Sequence, residues 1–198
     1  MEILTKSDVN KVAEMFKNSK VIAFPTETVF GLGVIASNKA NFDHLVAIKE
    51  RPSNKPFTLM FSNINQVEEF IEFDEISRKL IKKFMPGPLT LILPTKKVPS
   101  FYDLNTGFVG IRMPADNFVL DVINKVGKPL FVPSCNVSGK EPCVDSDSVI
   151  KEFNGKIDGV VIGNCLGGVP STVAKVCDGK ITVFREGPIS LKQLEEAL

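Results

Sequence analysis

Three cations lie close together near the end of one predicted helix and suggest a site for an anion. Lys49, Arg51 and Lys55 fall within seven residues, and Pro52 and Pro56 stop the helix beside them. Arginine offers a planar fork that matches phosphate or carboxylate, and lysine offers a point charge. Cations at a helix carboxyl terminus also complement the helix dipole, so a solvated helix end explains the same residues. Taken alone, the segment favours the two interpretations equally.

Two turns rich in hydroxyl and amide groups follow predicted buried strands. The first, PTETVFGLG at 25–33, is expected to be a loop after a strand at 21–24, and the second, SCNVSG at 134–139, follows a strand at 130–133. Hydroxyl, amide and backbone N–H groups in such turns can surround a ligand. A single turn of this composition is more often an ordinary turn without a ligand. Neither segment matches the glycine pattern of a dinucleotide-binding site or a phosphate-binding loop.

Arg112 and Arg185 each follow apolar strand residues, where an unpaired charge is costly to bury. A structural ion pair explains each arginine, and so does a bound anion shared with the three clustered cations. A nucleophile paired with a base is disfavoured, because the single histidine, His44, is distant in sequence from Ser134 and Cys135. These residues together predict a site for a polyanionic small molecule, without a covalent protein intermediate.

The composition of the chain excludes several classes of protein. With 24 Lys and Arg against 23 Asp and Glu, the net charge of the 198 residues is +1. Binding to nucleic acid through bulk charge is excluded, because duplex affinity arises largely from many phosphate contacts. The four cysteines form no C-x-x-C pair, so we expect no metal ligands in the protein. The sequence shows no signal peptide, and no apolar run approaches the roughly 20 residues needed to span a bilayer. We therefore expect a cytoplasmic protein with reduced cysteines.

Short apolar strands alternate with amphipathic helices along the chain, which predicts a single α/β (α+β) domain over 1–198 with a mixed sheet. The last two strands flank Asp178-Gly179, a sequence typical of a two-residue hairpin turn. The predicted strands are 21–24, 57–61, 89–93, 109–113, 130–133, 159–162, 172–176 and 181–184. The predicted helices are 6–18, 39–50, 65–72, 75–84, 117–126, 146–153 and 191–198.

Seven short motifs, in order along the chain, resemble those of the threonylcarbamoyl-AMP synthase family, the YrdC-like domains. The likeness runs from about residue 21 to 187, and seven ordered matches are far more specific than any one of them. The motifs are PTETVFGLG at 25–33, K-x-R at 49–51, PGPLT at 86–90, GIRMP at 110–114, S-x-N at 134–136, STV at 171–173 and R-x-G at 185–187.

The resemblance implies a YrdC-like fold, in which a twisted mixed sheet with flanking helices carries a concave basic cleft. It also implies that L-threonine, bicarbonate and ATP are joined to threonylcarbamoyl-AMP with release of pyrophosphate, the first step of the threonylcarbamoyladenosine modification of tRNA. Magnesium is expected on the triphosphate, held mainly by phosphate oxygens and water. A downstream threonylcarbamoyl transferase that modifies tRNA is the expected partner, and weak RNA binding is a further expectation.

The same resemblance assigns site roles motif by motif. We expect Lys49 and Arg51 to be exposed, catalytic cations of the cleft, so that alanine at either position abolishes turnover and leaves the fold intact. The expected ATP contacts are Arg51, Lys55, Ser134, Asn136 and Arg185. The expected L-threonine contacts are Thr28, Arg112 and Ser171, with Arg112 pairing the amino-acid carboxylate.

Several positions depart from the family pattern. Phe108 and Met60 replace residues that are often polar in relatives, Pro170 replaces an acidic residue, and Lys175 replaces an aspartate. Cys135 replaces an alanine, a change that we expect to be tolerated. If synthase activity were missing, Phe108, Pro170 and Lys175 are the positions at which the threonine site would have been lost.

Three other functions compete with the synthase. A paralogue with the same fold would bind nucleotide or double-stranded RNA in the cleft without synthase activity. Such paralogues tend to lose the lysine of K-x-R and the S-x-N pair, whereas this chain keeps Lys49, Ser134 and Asn136. A non-catalytic module for double-stranded RNA is disfavoured by the net charge of +1. A carbamoyl-transfer domain of hydrogenase maturation normally lies inside a much longer chain.

Overall fold

The computed structural model describes residues 1–52, 56–97, 106–165 and 167–198, and its strands form one ten-stranded sheet. The strands are β1 (Glu2–Leu4), β2 (Ile22–Phe24), β3 (Gly31–Ile35), β4 (Leu59–Met60), β5 (Leu89–Pro94), β6 (Phe108–Arg112), β7 (Leu130–Phe131), β8 (Gly159–Val161), β9 (Thr172–Cys177) and β10 (Lys180–Arg185). Their order across the sheet is β1-β8-β2-β3-β7-β4-β6-β5-β9-β10. Parallel and antiparallel neighbours both occur, which confirms the predicted mixed sheet.

Helices pack on both faces of the sheet. They are α1 (Val9–Lys17), α2 (Lys39–Lys49), α3 (Glu75–Phe84), α4 (Asn117–Val126), α5 (Ser146–Phe153) and α6 (Leu191–Glu195). Phe16 of α1 and Val122 of α4 belong to one buried cluster, and the other four helices contribute to a second cluster through residues such as Phe42 and Leu80. Among the described residues, no helix combines the length and apolarity needed to cross a membrane.

The glycine-containing segment at 25–33 departs from the expectation of a loop, because its last residues begin β3. Glycine weakens the strand signal in a sequence, yet here it is what the packing requires. A Cβ atom on Gly31 would lie 2.6 Å from Cγ1 of Val132. The loop is therefore confined to 25–30. Strand β1 also has no counterpart among the predicted strands.

The predicted helix at 65–72 is wrong. Its only regular helical structure is a single 3₁₀ turn at Ile64–Gln66. The chain then leaves the helical path to pair with the end of β5, where Ile71 forms a β-bridge with Thr95 and Glu72 donates its N–H to a carbonyl at 2.9 Å. The apolar spacing that suggested a helix instead reflects burial against the sheet.

The predicted hairpin between β9 and β10 is confirmed. Cys177 and Lys180 are paired across a two-residue turn, and Asp178 and Gly179 have φ of 51° and 72°. A turn of this kind requires positive φ at both central residues, which explains the Asp-Gly sequence. The hairpin brings Arg185, at the end of β10, beside the start of β9.

Candidate functional site

A cleft with a volume of about 440 Å³ opens on the sheet face that carries α1 and α4. Met60 and Val132 belong both to the core cluster of those helices and to the cleft lining, which places the cleft on that face. Residues of β4, β5, β6 and β9 form much of its floor. A concave site of this size suits a ligand as large as a cofactor.

Alternation along three strands separates the cleft floor from the core. Leu91, Ile111 and Ala174 point into the core on the opposite face. Because successive side chains of a strand point to opposite faces, the residues beside them reach the cleft. These cleft residues are Thr90 and Ile92 of β5, Phe108, Gly110 and Arg112 of β6, and Val173 and Lys175 of β9.

Four cationic side chains line the cleft, and its described lining contains no aspartate or glutamate. They are Arg51, Arg112, Lys175 and Arg185. Arg112 forms an ion pair with Glu27, whereas neither Lys175 nor Arg185 forms one with any carboxylate that the structure describes. Partial burial and the nearby charge of Arg112 lower the pKa of Arg185. Crowded positive charges of this kind favour a bound anion, and the predicted basic cleft is confirmed.

Arg112 is fixed at the end of β6 by side chains of the first turn. Its Nη2 donates to Oε1 of Glu27 at 2.7 Å and to Oγ1 of Thr28 at 3.0 Å, and its Nε donates to the carbonyl of Gly87 at 3.3 Å. Oε1 of Glu27 also accepts the backbone N–H of Ala115 at 3.0 Å. Thr28, an expected threonine contact, is 1% exposed and lies outside the described cleft lining. It therefore orients Arg112, and Glu27 is an orienting residue that the sequence did not single out.

Ser171, an expected threonine contact, is hydrogen-bonded to Thr90 and to Arg185, an expected ATP contact. Its Oγ lies 2.9 Å from Oγ1 of Thr90 and accepts a hydrogen bond from Nη2 of Arg185 at 3.3 Å. Its carbonyl accepts Nε of Arg185 at 3.0 Å. The structure thus brings Ser171 and Arg185 into direct contact. Thr90 was not predicted as a site residue, although its place in the PGPLT motif was a signal for it.

Lys49 is buried, which corrects the expectation of an exposed charge in the cleft. It is 1% exposed and absent from the described cleft lining. The end of α2 packs on the turn at 134–139, where the N–H of Ser138 donates to the carbonyl of Lys49 at 2.9 Å, and this directs the lysine inward. Its Nζ donates to the carbonyls of Ser134 and Asn136, both at 2.6 Å, and to Oδ1 of Asn136 at 2.9 Å. Burial lowers the pKa of Lys49 to about 8.

The S-x-N motif is organised around Asn136. Oδ1 of Asn136 accepts the hydroxyl of Ser134 at 2.7 Å as well as Nζ of Lys49, and its Nδ2 donates to the carbonyl of Lys140 at 2.6 Å. Ser134 lines the cleft, whereas Asn136 does not belong to the described lining. Of the two predicted ATP contacts in this motif, Ser134 lies at the cleft, whereas Asn136 holds the turn.

Arg51 lines the cleft, as predicted. Its Nη2 donates to the carbonyl of Pro56 at 3.1 Å, and its guanidinium carbon lies 5.3 Å from the centre of the Phe57 ring. This stacking restricts the side chain at the edge of the cleft. Lys55, the third cation of the cluster, lies outside the described residues.

Lys175 of β9 places a further positive charge in the cleft. Its Nζ lies 3.4 Å from the centre of the Phe108 ring, so two departures from the family pattern contact each other. Lys175 lies four residues after Ser171, which directly precedes β9, and four residues of extended chain span about 13 Å. The cleft is therefore long enough to hold an extended ligand between a hydroxyl-rich end and this cation.

The donor groups of the cleft suit anions. Among the described residues, no group of three or more His, Cys, Asp or Glu side chains could hold a metal ion. The lining offers guanidinium, ammonium and hydroxyl groups, which are ligands for phosphate and carboxylate. A divalent cation fits such a cleft as the companion of an anionic ligand that supplies the coordinating oxygens.

Comparison with known proteins identifies relatives that point to one family. The family model Sua5_yciO_yrdC, described as telomere recombination, matches residues 14–187. A threonylcarbamoyl-AMP synthase of Bacillus subtilis (strain 168) is 36% identical over 194 residues, covering 96% of this chain and 56% of the relative. A Methanocaldococcus jannaschii relative, provisionally given the same name, is 36% identical over 197 residues and is covered over 93% of its length.

The fold also matches a solved structure closely. The crystal structure of P. abyssi Sua5 complexed with L-threonine aligns with a TM-score of 0.93 and 31% identity, over 100% of this chain and 61% of that chain. The chain therefore spans little more than half the length of the Bacillus relative and of the solved P. abyssi protein. The predicted fold class is confirmed.

Proposed function

This chain belongs to the Sua5/YciO/YrdC family, and on that premise we propose that it is a threonylcarbamoyl-AMP synthase. The proposed reaction joins L-threonine, bicarbonate and ATP and releases pyrophosphate. The observation that carries the proposal is the hydrogen bond between Arg185, a predicted ATP contact, and Ser171, a predicted threonine contact, in a cleft lined by four cations. Where these contacts meet, an amino acid and an α-phosphate can be held next to each other.

The amino-acid end of the site is built on Arg112. Its contacts with Glu27, Thr28 and Gly87 engage Nε and Nη2, so we assign Nη1 to the carboxylate of L-threonine. The hydroxyls of Thr90 and Ser171 lie on the same floor and suit the polar groups of the amino acid. The P. abyssi relative solved with L-threonine supports this choice of substrate.

We assign ATP binding to Arg51, Ser134 and Arg185, which line the cleft, and to Lys55, which the sequence predicts. We add Lys175 because it also lines the cleft. We assign Lys49 and Asn136 positioning roles, since they hold the turn that carries Ser134. Magnesium is proposed to enter with the triphosphate, coordinated by phosphate oxygens and water, and to neutralise part of its charge. Arg51 remains the proposed catalytic cation, because it lines the cleft.

The chemistry requires positioning and charge stabilisation rather than a protein nucleophile. The amine of threonine adds to the bicarbonate carbon and water leaves, which gives a carbamate. A carbamate oxygen then attacks the α-phosphorus, and pyrophosphate leaves. Both partners of the second step are anionic, so the clustered cations reduce their repulsion and stabilise charge on the transferring group. Holding the partners in line supplies much of the remaining rate.

The product is a reactive mixed anhydride of a carbamate and a phosphate, so an enzyme that accepts the threonylcarbamoyl group must follow. We propose that this partner is a threonylcarbamoyl transferase acting on tRNA. The transfer returns AMP and leaves the threonylcarbamoyl group on the nucleoside.

Direct detection of the product tests the proposal. The purified chain is incubated with ATP, magnesium, L-threonine, bicarbonate and pyrophosphatase, and threonylcarbamoyl-AMP is sought by mass spectrometry. We expect product only when threonine and bicarbonate are both present, with phosphate release that also requires threonine. Arg51→Ala is expected to lose turnover at unchanged thermal stability, and Lys180→Ala, at an exposed residue of β10, to retain it.

Failure to form product separates the alternatives. ATP binding without product would favour a non-catalytic relative that binds nucleotide in the same cleft. Steeply salt-dependent binding of double-stranded RNA in place of ATP would favour an RNA-binding role.

A further inference from the structure

Two thiols without a role in the proposed reaction lie side by side behind the cleft wall. Cys135 stands between Ser134 and Asn136 in the S-x-N motif, and Cys143 lies at the far end of the loop that follows. Sγ of Cys143 donates a hydrogen bond to Oε2 of Glu152 at 4.0 Å, and a backbone hydrogen bond joins Cys143 to Cys135. The two residues are 0% and 6% exposed, and both are free cysteines.

A closed ring of backbone hydrogen bonds fixes the two cysteines relative to each other. The N–H of Cys135 donates to the carbonyl of Phe30 at 2.7 Å, the N–H of Phe30 donates to Cys143 at 3.0 Å, and the N–H of Cys143 donates to Cys135 at 2.9 Å. A disulfide needs α-carbons about 4.4–6.8 Å apart, a separation typical of residues joined by a backbone hydrogen bond. The pair is therefore placed for a disulfide without a large backbone movement.

The interaction between the two side chains makes the thiols chemically different. It raises the pKa of Cys135 and lowers the pKa of Cys143. The thiolate is the nucleophilic form of cysteine. Cys143, which is also the less buried of the two, is therefore the first sulfur to react, and Cys135 is the resolving thiol.

We propose that Cys135 and Cys143 form a redox modification site, in which hydrogen peroxide converts the thiol pair to a disulfide that weakens ATP binding. The Cys143 thiolate attacks one peroxide oxygen, the O–O bond breaks, and the departing oxygen leaves as water after gaining protons. The sulfur of Cys135 then attacks the sulfenic acid on Cys143 and displaces its hydroxyl as a second water. The two sulfurs lose the two electrons that the peroxide gains, and a dithiol reductant reverses the reaction.

The disulfide itself is independent of the proposed function, whereas its effect on ATP rests on that function. Cys135 is flanked by Ser134 and Asn136, whose oxygens hold Nζ of Lys49 at 2.6 to 2.9 Å. Hydrogen bonds this short depend closely on the positions of their donor and acceptor atoms. We therefore expect the small movement that brings Cys135 into bond with Cys143 to disturb these contacts and to shift Ser134 in the cleft.

Treatment of the reduced chain with hydrogen peroxide tests the proposal. We expect the intact mass to fall by two hydrogens, and a digest without reductant to contain peptides joined through Cys135 and Cys143. ATP binding measured by calorimetry is expected to weaken about tenfold and to recover with dithiothreitol. In Cys135→Ala, dimedone is expected to trap a sulfenic acid on Cys143, and ATP binding is expected to resist peroxide.

Cys177→Ser is the matched control and is expected to behave as the wild type, since Cys177 lies at the end of β9. No disulfide, or a disulfide between other cysteines, overturns the site. A disulfide between Cys135 and Cys143 with unchanged ATP affinity overturns its regulatory effect. If the reduced wild type binds no ATP, the proposed function fails, while the mass and the digest still decide whether the thiol pair reacts.

Discussion

The ammonium group of Lys49 donates hydrogen bonds to three oxygen atoms of one turn, and Ser134 of that turn lines the cleft. Lys49 thus affects the cleft indirectly, because it holds the turn that carries Ser134. The sequence identified the position through the K-x-R motif but predicted the wrong environment. A cation at the last residue of a helix has the same pattern whether its side chain turns outward to water or inward to a neighbouring turn.

Replacing Lys49 by methionine is expected to destabilise the fold, in contrast to the earlier expectation of an intact fold. Oδ1 of Asn136 keeps the hydroxyl of Ser134 as a donor, and the carbonyl of Ser134 keeps the N–H of Asn136. The carbonyl of Asn136 loses its donor, and an unsatisfied buried acceptor costs about 1–3 kcal/mol, partly offset by relief of the buried charge. We expect the free energy of unfolding in urea to fall by about 1–2 kcal/mol at neutral pH. Lys39→Met, at an exposed position of the same helix, is expected to change it by less than about 0.5 kcal/mol.

The pH dependence of this difference has a defined sign. In the folded chain Lys49 releases its proton near pH 8, whereas an unfolded lysine retains it to about pH 10.4. Between these values the unfolded state binds more protons, so the contribution of Lys49 to wild-type stability increases with pH. The gap between wild type and Lys49→Met should therefore widen above pH 8. A gap that narrows there would contradict the buried, charged lysine.

Lys175 is expected to bind the polyphosphate of ATP. It lines the cleft and forms no ion pair with a carboxylate in the described part of the chain. Lys175→Met should weaken ATP binding about tenfold, or about 1.4 kcal/mol, and weaken AMP binding much less, because AMP carries a single phosphate. Calorimetry with both nucleotides measures the difference. Lys180→Met, on the exposed strand β10, should leave both affinities unchanged, and equal losses for ATP and AMP in Lys175→Met would refute the assignment.

The segment after β10 is locked to the start of β9, and this lock positions Arg185. Oγ1 of Thr172 accepts the backbone N–H groups of Gly187 and Ile189 at 2.9 and 3.1 Å. It also donates to the carbonyl of Ile189 at 2.6 Å. Gly187, the glycine of the R-x-G motif, lies where two backbones approach each other closely.

Gly187→Ala is expected to disturb this lock. Its Cβ would lie 2.3 Å from the carbonyl oxygen of Pro170 and 2.6 Å from the backbone nitrogen of Thr172, so the backbones must separate. We expect a loss of about 1–3 kcal/mol in unfolding free energy and weaker ATP binding through displacement of Arg185. Gly110→Ala is the stability control, because a Cβ there meets its nearest neighbour at 3.6 Å. Equal stability of the two variants would contradict the packing argument.

At the scale of the whole molecule, the sequence predicted the mixed sheet and most of its strands because apolar runs and turn residues are local signals. The hairpin at Asp178-Gly179 is the clearest case. The order of the strands and the burial of Lys49 and Thr28 were not predictable, since both depend on which distant segments meet. The site residues were found through motifs, whereas the division into lining groups and supporting groups required the three-dimensional arrangement.

The floor of the cleft joins segments that are far apart in the chain. Leu89 pairs with Thr172 where β5 meets β9, and Leu59 pairs with Ile111 where β4 meets β6. Contacts between distant segments form slowly, because the entropy of closing long loops must be overcome first. A chain emerging from the ribosome has no complete anion site until its final hairpin is in place. On the proposed function, nucleotide present during synthesis stabilises only fully folded molecules, by an amount that grows with the logarithm of its concentration over the dissociation constant.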